Sequence, residues 1–232
     1  TFLVFQLYPI IYSFYLSLYM KSQGVTDVQI GFLISLNFIV GTIMALFAGV
    51  MVDKIARRRT TILFGLISWP GSALLNFFAH SFWMFALAQI VCAFSKISDI
   101  GWQLILIEDA DDEQRLTSFN MFGIIDILAG FFTPIAGIIV GNLGLVKAER
   151  GFLLFGATCM FVMIIHRHFE FHETDMGRLA VERSRTVSYW GTLKNSLTQM
   201  KTVVTSHNHK LSCVLVIIVL FSAYQPIGAY SS

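Results

Sequence analysis

The sequence predicts an all-α, polytopic membrane helical bundle, and three observations carry that prediction. Of 232 residues, 56% are hydrophobic and only 13% charged, about half the charged share of an ordinary soluble domain, roughly 25%. The apolar residues gather into seven runs, each close to the ~20 residues a helix needs to cross hydrocarbon. The breaks between runs are short, apart from one charged stretch after the sixth. A helix satisfies its own backbone in lipid, and these runs are too long and too poorly alternating for barrel strands. The composition also excludes other classes. A net charge of +2 supplies no basic field for nucleic acid, and four prolines are too few for a collagen-like or Pro-rich disordered chain. Cys92, Cys159 and Cys213 are far apart in apolar runs, which gives neither a zinc spacing nor a disulfide framework.

The first run, 2–20, lacks the basic n-region and small-residue cleavage site of a signal peptide and is read as a retained helix. Tyr8, Tyr12, Tyr15 and Tyr19 step along it by four, three and four, nearly opposite Gln6, Ser13 and Ser17. Either face can turn to a cavity; Tyr12 is the candidate contact on the aromatic one, whereas Tyr19 beside Lys21 suits an interfacial belt. In the second run, 29–51, Asn37 is a polar candidate for the transport path. It leads into Gly41, Ala45 and Gly49, a small-residue row suited to helix packing. The third run is 60–79. In the fourth, 82–106, Gln89, Cys92, Lys96, Asp99 and Gln103 step by three and four and share one face. Ionisable groups inside a span cost several kcal/mol unless paired or hydrated, so that face is expected to line water or another helix.

The fifth run, 119–141, places Asp126 on a face continued by Gly130, Thr133 and Gly137, a stripe suited to close helix approach, and Pro134 is expected to bend it. Asp99 and Asp126 lie at similar depth, roughly 10 Å from the same ends of their spans. A Lys96–Asp126 or Lys96–Asp99 interaction is therefore expected, leaving one acid to hold a proton or a cationic substrate group. The competing reading is an ion pair that only fixes packing. The sixth run is 151–167 and the seventh 210–230. Between them, 168–209 reads as a charged connector in which Trp190, Leu193, Leu197, Met200 and Val204 recur at helical spacing, giving either a helix along the membrane face or a solvated linker. His166, His168 and His172 lack a ligand spacing, and no metal is expected.

If the spans alternate, the Lys and Arg of the second-to-third junction, of the fourth-to-fifth junction and of the connector share one side, against only Lys21, Lys147 and Arg150 on the other. The richer side is expected to be cytoplasmic, with the N-terminus inside.

The junction Gly49-Val-Met-Val-Asp53-Lys54-Ile-Ala-Arg57-Arg58-Arg59 resembles the G-x-x-x-D-[RK]-x-G-[RK]-[RK] loop signature of the major facilitator superfamily. Gly24-Val-Thr-Asp-Val-Gln29-Ile30-Gly31 resembles that family's lead-in to its second helix, and the connector after six spans matches its join between halves. The resemblance implies two six-helix halves around a midplane site. On that pattern 1–167 is an N-terminal six-helix bundle, 168–209 the connecting loop and 210–232 the seventh helix. The expectation is an incomplete chain, monomeric at full length, the alternative being a self-contained half that dimerises. The resemblance also implies a conformational latch of Gly49, Asp53, Lys54, Arg57 and Arg58 with an acid at the end of the fourth span. Glu108 and Asp109 stand there, and Asp109 is the expected partner. Independently of any family, Asp53 at the C-terminal end of a helix is disfavoured by the dipole and needs a cation or another helix N-terminus nearby.

Three departures matter. Ala56 stands where the signature usually has glycine, a mild constraint on the turn. Gln89 stands where drug/proton antiporters of the family carry an arginine. Only the P-x-x-G of their glycine-rich fifth-helix stretch survives, as Pro134 and Gly137, the expected gating pair. The resulting expectation is secondary active, proton-coupled export of drug-like or amphipathic compounds by alternating access, the alternative being an importer or uniporter of a sugar or other small metabolite. A seven-helix receptor conflicts with an internal N-terminus. No Walker A loop, H-E-x-x-H or G-x-S-x-G motif supports a nucleotide-driven pump or an enzyme, and no cofactor is expected. External loops without an N-x-[ST] acceptor favour a bacterial cytoplasmic membrane.

Overall fold

The computed structural model describes residues 14–108, 110–185, 188–195 and 198, the side chains of Asp126 and Ala129 apart, and all regular structure among them is helical. The seventh run, Tyr12 and Asp109 lie outside the described residues. The chain divides into two compact units, Thr1–Arg185 and Thr186–Ser232, so the division falls within the segment read as connector.

In the first unit, α1 (residues 14–22) is followed by α2, Asp27–Ile55. A reciprocal capping box starts α2: the Gln29 amide donates to Thr26 Oγ1 at 3.3 Å and the Thr26 amide to Gln29 Oε1 at 2.9 Å, so orphan donors are satisfied before the apolar run begins. Met44, Ala48, Met51 and Ile55 pack with Phe64, Phe94, Ile97 and Ile100. Phe32, Phe38, Ile39 and Leu46 are exposed, which is the pattern of a helix with a lipid-facing side. The small-residue row does not make this packing. Gly41 meets the stem of Lys96, but Ala45 and Gly49 are exposed, and a Cβ at Gly49 would touch nothing within 4 Å. Larger residues at heptad-like spacing form the seam instead.

α3, Arg57–Phe78, is the central helix and packs on α4, α5 and α8. Its approach to α5 is close: a Cβ on Gly101 would lie 2.6 Å from Thr61 Oγ1, and Ser98 Oγ donates to the Thr61 carbonyl at 2.8 Å. The small residues that let two helices touch in a membrane are thus on α3 and α5. The fourth run is one apolar stretch, Phe82–Glu108, divided into α4, Phe82–Ala93, and α5, Ser95–Glu108. At the division the Phe94 amide bonds the Val91 carbonyl at 3.2 Å, a tight 3₁₀ turn, and the Phe94 ring stacks on Phe64 with 6.2 Å between centroids.

The fifth run departs most from expectation. It forms two helices, α6, Asp112–Gly130, and α7, Thr133–Leu143, and not one helix bent at Pro134. Proline has no N–H and its ring clashes with the carbonyl four residues earlier, here Gly130, so the helix ends there and Pro134 falls in the first turn of the next. α6 also begins earlier than the apolar run because Asp111 and Gln114 form a capping box, the Gln114 amide donating to Asp111 Oδ1 at 2.8 Å. The Gly130–Gly137 stripe does not bring helices together: a Cβ at Gly130 would meet nothing within 4 Å, and one at Gly137 would meet only the Tyr15 hydroxyl, at 3.3 Å. Gly144, at φ 80°, takes the positive φ that turns the chain into α8, Leu145–Glu170. The core joins Tyr19, Leu33, Trp69, Phe85, Leu153 and Met160 from α1, α2, α3, α4 and α8.

A ninth helix, α9, Asp175–Ser184, lies within the charged stretch, capped by Thr174, whose hydroxyl accepts from the Gly177 amide at 2.9 Å. Among the described residues four helical stretches are long and apolar enough to cross a membrane: Asp27–Ile55, Arg57–Phe78, Phe82–Glu108 and Leu145–Glu170. In the second unit, residues 189–195 are helical.

Candidate functional site

The α2–α3 junction turns on a single residue, Ala56, at φ 91° and ψ 146°. An L-residue with a side chain is strained there, so the departure from glycine constrains the turn far more than the sequence implies. The turn aims two helix ends at each other: Asp53 in the last turn of α2 and Arg57 in the first turn of α3. Arg57 Nη1 donates to Asp53 Oδ1 at 3.0 Å, Arg57 Nη2 to Glu108 Oε1 at 3.0 Å, and Arg57 Nε to both oxygens of Glu108 at 3.3 and 3.2 Å. Side-chain exposure is 7% for Arg57 and 13% for Glu108, against 41% for Asp53. The Arg57–Glu108 arm is therefore the one withheld from water and sensitive to loss of either partner. The acid found at the end of α5 is Glu108.

The other partners come from the stretch leading into α9. Glu173 accepts from the Arg57 amide through Oε1 and from the Arg58 amide through Oε2, both at 2.9 Å. A carboxylate from 116 residues away thus caps the first turn of α3, where orphan N–H groups and the positive end of the dipole favour an anion. Thr174 donates its hydroxyl to Glu108 Oε2. At the far end of α9, Lys54 Nζ donates to the Ser184 carbonyl at 2.8 Å and Ser184 Oγ to the Asp53 carbonyl at 3.0 Å, which places a cation at one helix C-terminus and a donor at another. Gly177 is required by this contact, since a Cβ there would stand 2.7 Å from Arg57 Cδ and would collide with Glu173. Arg58, expected beside Asp53, instead donates through Nη2 to the His168 carbonyl at 2.5 Å. Gly49 stays exposed and outside the network.

Within the apolar stretch of α4 and α5, the Gln89, Cys92, Lys96, Asp99 and Gln103 face remains partly or fully exposed, while Ala93, Ile97, Ser98 and Gly101 are buried. Lys96 crosses α2 at Gly41, its Cγ 3.6 Å from where a Cβ would sit, and Asp99 is within electrostatic reach of Lys96 and Arg167. Arg167 of α8 is buried, with its guanidinium carbon 5.6–5.7 Å from the ring centroids of Trp69, Trp102 and Phe171, a cation held by ring faces. Arg167 carries a topogenic charge in the sequence, and only the fold shows its aromatic surroundings. The Asp126 side chain is outside the described set, so the Lys96–Asp126 pair has no geometry; α6 meets α5 through Trp102 and Phe122, 5.3 Å between centroids. Asn37 Nδ2 donates to the Gln89 backbone carbonyl at 2.8 Å, which ties α2 to α4.

At the opposite end, Tyr19 is fully buried and no interfacial belt residue: its hydroxyl accepts from Arg150 Nε at 3.2 Å and its ring meets Phe85 edge-on. Arg150 Nη2 also lies 3.3 Å from His80 Nδ1. Tyr15 packs with Ala136, Ile139 and Val140, so both described tyrosines of the first run serve packing.

The helical bundle, with its carboxylate-bound arginine at a one-residue junction, is matched by one family model, described as Major Facilitator Superfamily, over residues 1–231. No curated protein and no solved structure matches the chain. The chain thus belongs to the major facilitator superfamily and is an integral, multi-pass membrane protein that transports a small solute.

Proposed function

We propose that this transporter is a secondary active, proton-coupled exporter of drug-like or amphipathic compounds, working by alternating access in a bacterial cytoplasmic membrane. The observation that carries the reading is the charged face of α5. Lys96 and Asp99 lie inside an apolar stretch, Lys96 crossing α2 at Gly41 while its side chain stays exposed beyond that contact and Asp99 half-buried, and intramembrane charges that keep such exposure belong to a hydrated path. Asp99, with Lys96 and Arg167 within reach, is the acid that exchanges the proton together with Asp126. At the junction end, read as cytoplasmic, Asp53, Arg57, Glu108 and Glu173 hold the outward-facing state closed. Opening exchanges their mutual contacts for water.

The test is proton movement in proteoliposomes on addition of lipophilic cations or sugars, for the wild type and for Asp126→Asn, Asp99→Asn and Lys96→Met. Cation-driven proton movement that Asp126→Asn or Asp99→Asn abolishes supports coupled export. Equilibration of a sugar with no proton movement supports the second reading, an importer or uniporter, which the uncharged Gln89 favours. Transport and pH dependence unchanged in all three variants would return these residues to packing.

A further inference from the structure

Beside the junction, on the face turned to α9, the helices leave a cavity of about 670 Å³. Its basic side chains come from four places in the chain: Lys54 of α2, Arg58 and Arg59 of α3, His172 after α8, and Arg178 and Arg185 at and just after α9. Two carboxylates line it, Glu173 and Glu182. Both oxygens of Glu173 already accept from the amides of Arg57 and Arg58, so that acid is engaged by the α3 N-terminus. Five permanent cations then line a concavity with Glu182; Arg178 among them pairs with Asp175 and Lys54 donates to the Ser184 carbonyl, while Arg58, Arg59 and Arg185 add three further guanidinium groups. A topogenic excess of Lys and Arg needs only water around it and gives no reason for charges from separate elements to line one hollow, where like charges repel. Guanidinium groups in such a cluster match phosphate oxygens, often in bidentate pairs. The volume lies within the roughly 300–1,000 Å³ of small-ligand sites and exceeds what one orthophosphate fills. Phe169 and Phe171 supply apolar wall beside the charges.

We propose that this cavity binds a phosphate-bearing anion, a phospholipid headgroup or a soluble polyphosphate, which bridges α3 to α9. The test uses the purified chain in neutral detergent, titrated with sodium pyrophosphate, and in nanodiscs of phosphatidylcholine with and without phosphatidylglycerol, with thermal unfolding and calorimetric binding as readouts. Saturable pyrophosphate binding identifies a soluble ligand; a stabilisation confined to phosphatidylglycerol discs identifies a headgroup. In whichever arm responds, Arg59→Gln with Arg185→Gln weakens the response about tenfold or more as charge-assisted contacts are lost. Exposed Lys147→Gln, at the other end of the bundle, leaves it unchanged. If the double glutamine variant does not fold, Arg59→Lys with Arg185→Lys keeps the charge but removes the fork, and a several-fold weakening is expected. Response to neither probe, equal weakening by Lys147→Gln, or an unchanged response in the cavity variants overturns the assignment.

Discussion

Replacing Ala56 by glycine is expected to stabilise the protein, against the usual effect of that substitution. At φ 91° and ψ 146° a residue with a Cβ stores on the order of 1–3 kcal/mol of backbone strain. Glycine relieves it but adds about 0.5–1 kcal/mol of unfolded-chain entropy. The balance is a gain of about 1 kcal/mol, roughly a fivefold shift in the folded-to-unfolded ratio. The control is Ala45→Gly, at an exposed position inside α2, where glycine should destabilise by about 1 kcal/mol. Both are measured by SDS titration in mixed micelles, following tryptophan fluorescence and far-UV circular dichroism. Opposite signs are expected. If Ala56→Gly shifts the midpoint in the same direction as Ala45→Gly, the junction is not strained and the reasoning fails.

Three further outcomes follow from the packing. A double-mutant cycle with Arg57→Ala and Glu108→Gln should give a coupling of about 1.5–3 kcal/mol in the same titration, the range for hydrogen bonds to charged groups; additive losses would show that the two side chains do not interact. Gly177→Ala pushes a methyl into Glu173 and Arg57, so α9 should detach and limited proteolysis should cut between residues 171 and 185 at least several-fold faster, whereas unchanged cleavage would show α9 held some other way. Gly101→Ala should cost about 1–3 kcal/mol by overpacking against Thr61. Thr61 Oγ1 is buried without a hydrogen-bond partner among the described residues, so Thr61→Ala should recover most of that loss, and a failure to recover it would place the clash elsewhere.

The helices were legible where hydrophobicity decides them, and less so where capping or backbone sterics does. The second, third, fourth and sixth runs appear as spans, and helix ends pass beyond the apolar runs where other features intervene: Thr26–Gln29 ahead of α2, basic residues in the last turn of α8 and, in the divided fifth run, Asp111–Gln114 ahead of α6. Pro134 was visible, but bending and breaking differ only in whether the Gly130 carbonyl can be accommodated. The charged composition of α9 hides it from apolar counting, although Thr174 followed by Asp175 is a start signal in its own right. The loop signature pointed to Asp53 and Arg57, and Asp53 at a helix C-terminus gave the reason for a cation. Glu173 was illegible because its role depends on a contact across 116 residues. Glu108 meets Arg57 from the last turn of α5, a contact that an end-of-helix position alone does not reveal, because neighbouring residues lie roughly 100° apart on a helix.

The Glu173 cap also sets an order of events during synthesis. The first amides of α3 wait for a carboxylate 116 residues further along the chain, which at about 5–20 residues per second takes roughly 6–23 s to emerge. Through that interval α2, α3 and the stretch ending at Glu108 can be in the membrane while the α3 terminus is held by water alone. A ribosome paused between the codons for α8 and for Glu173 would hold a bundle whose helices are inserted but whose junction is unsealed, so the connector acts as the last closing step in the biogenesis of the first unit.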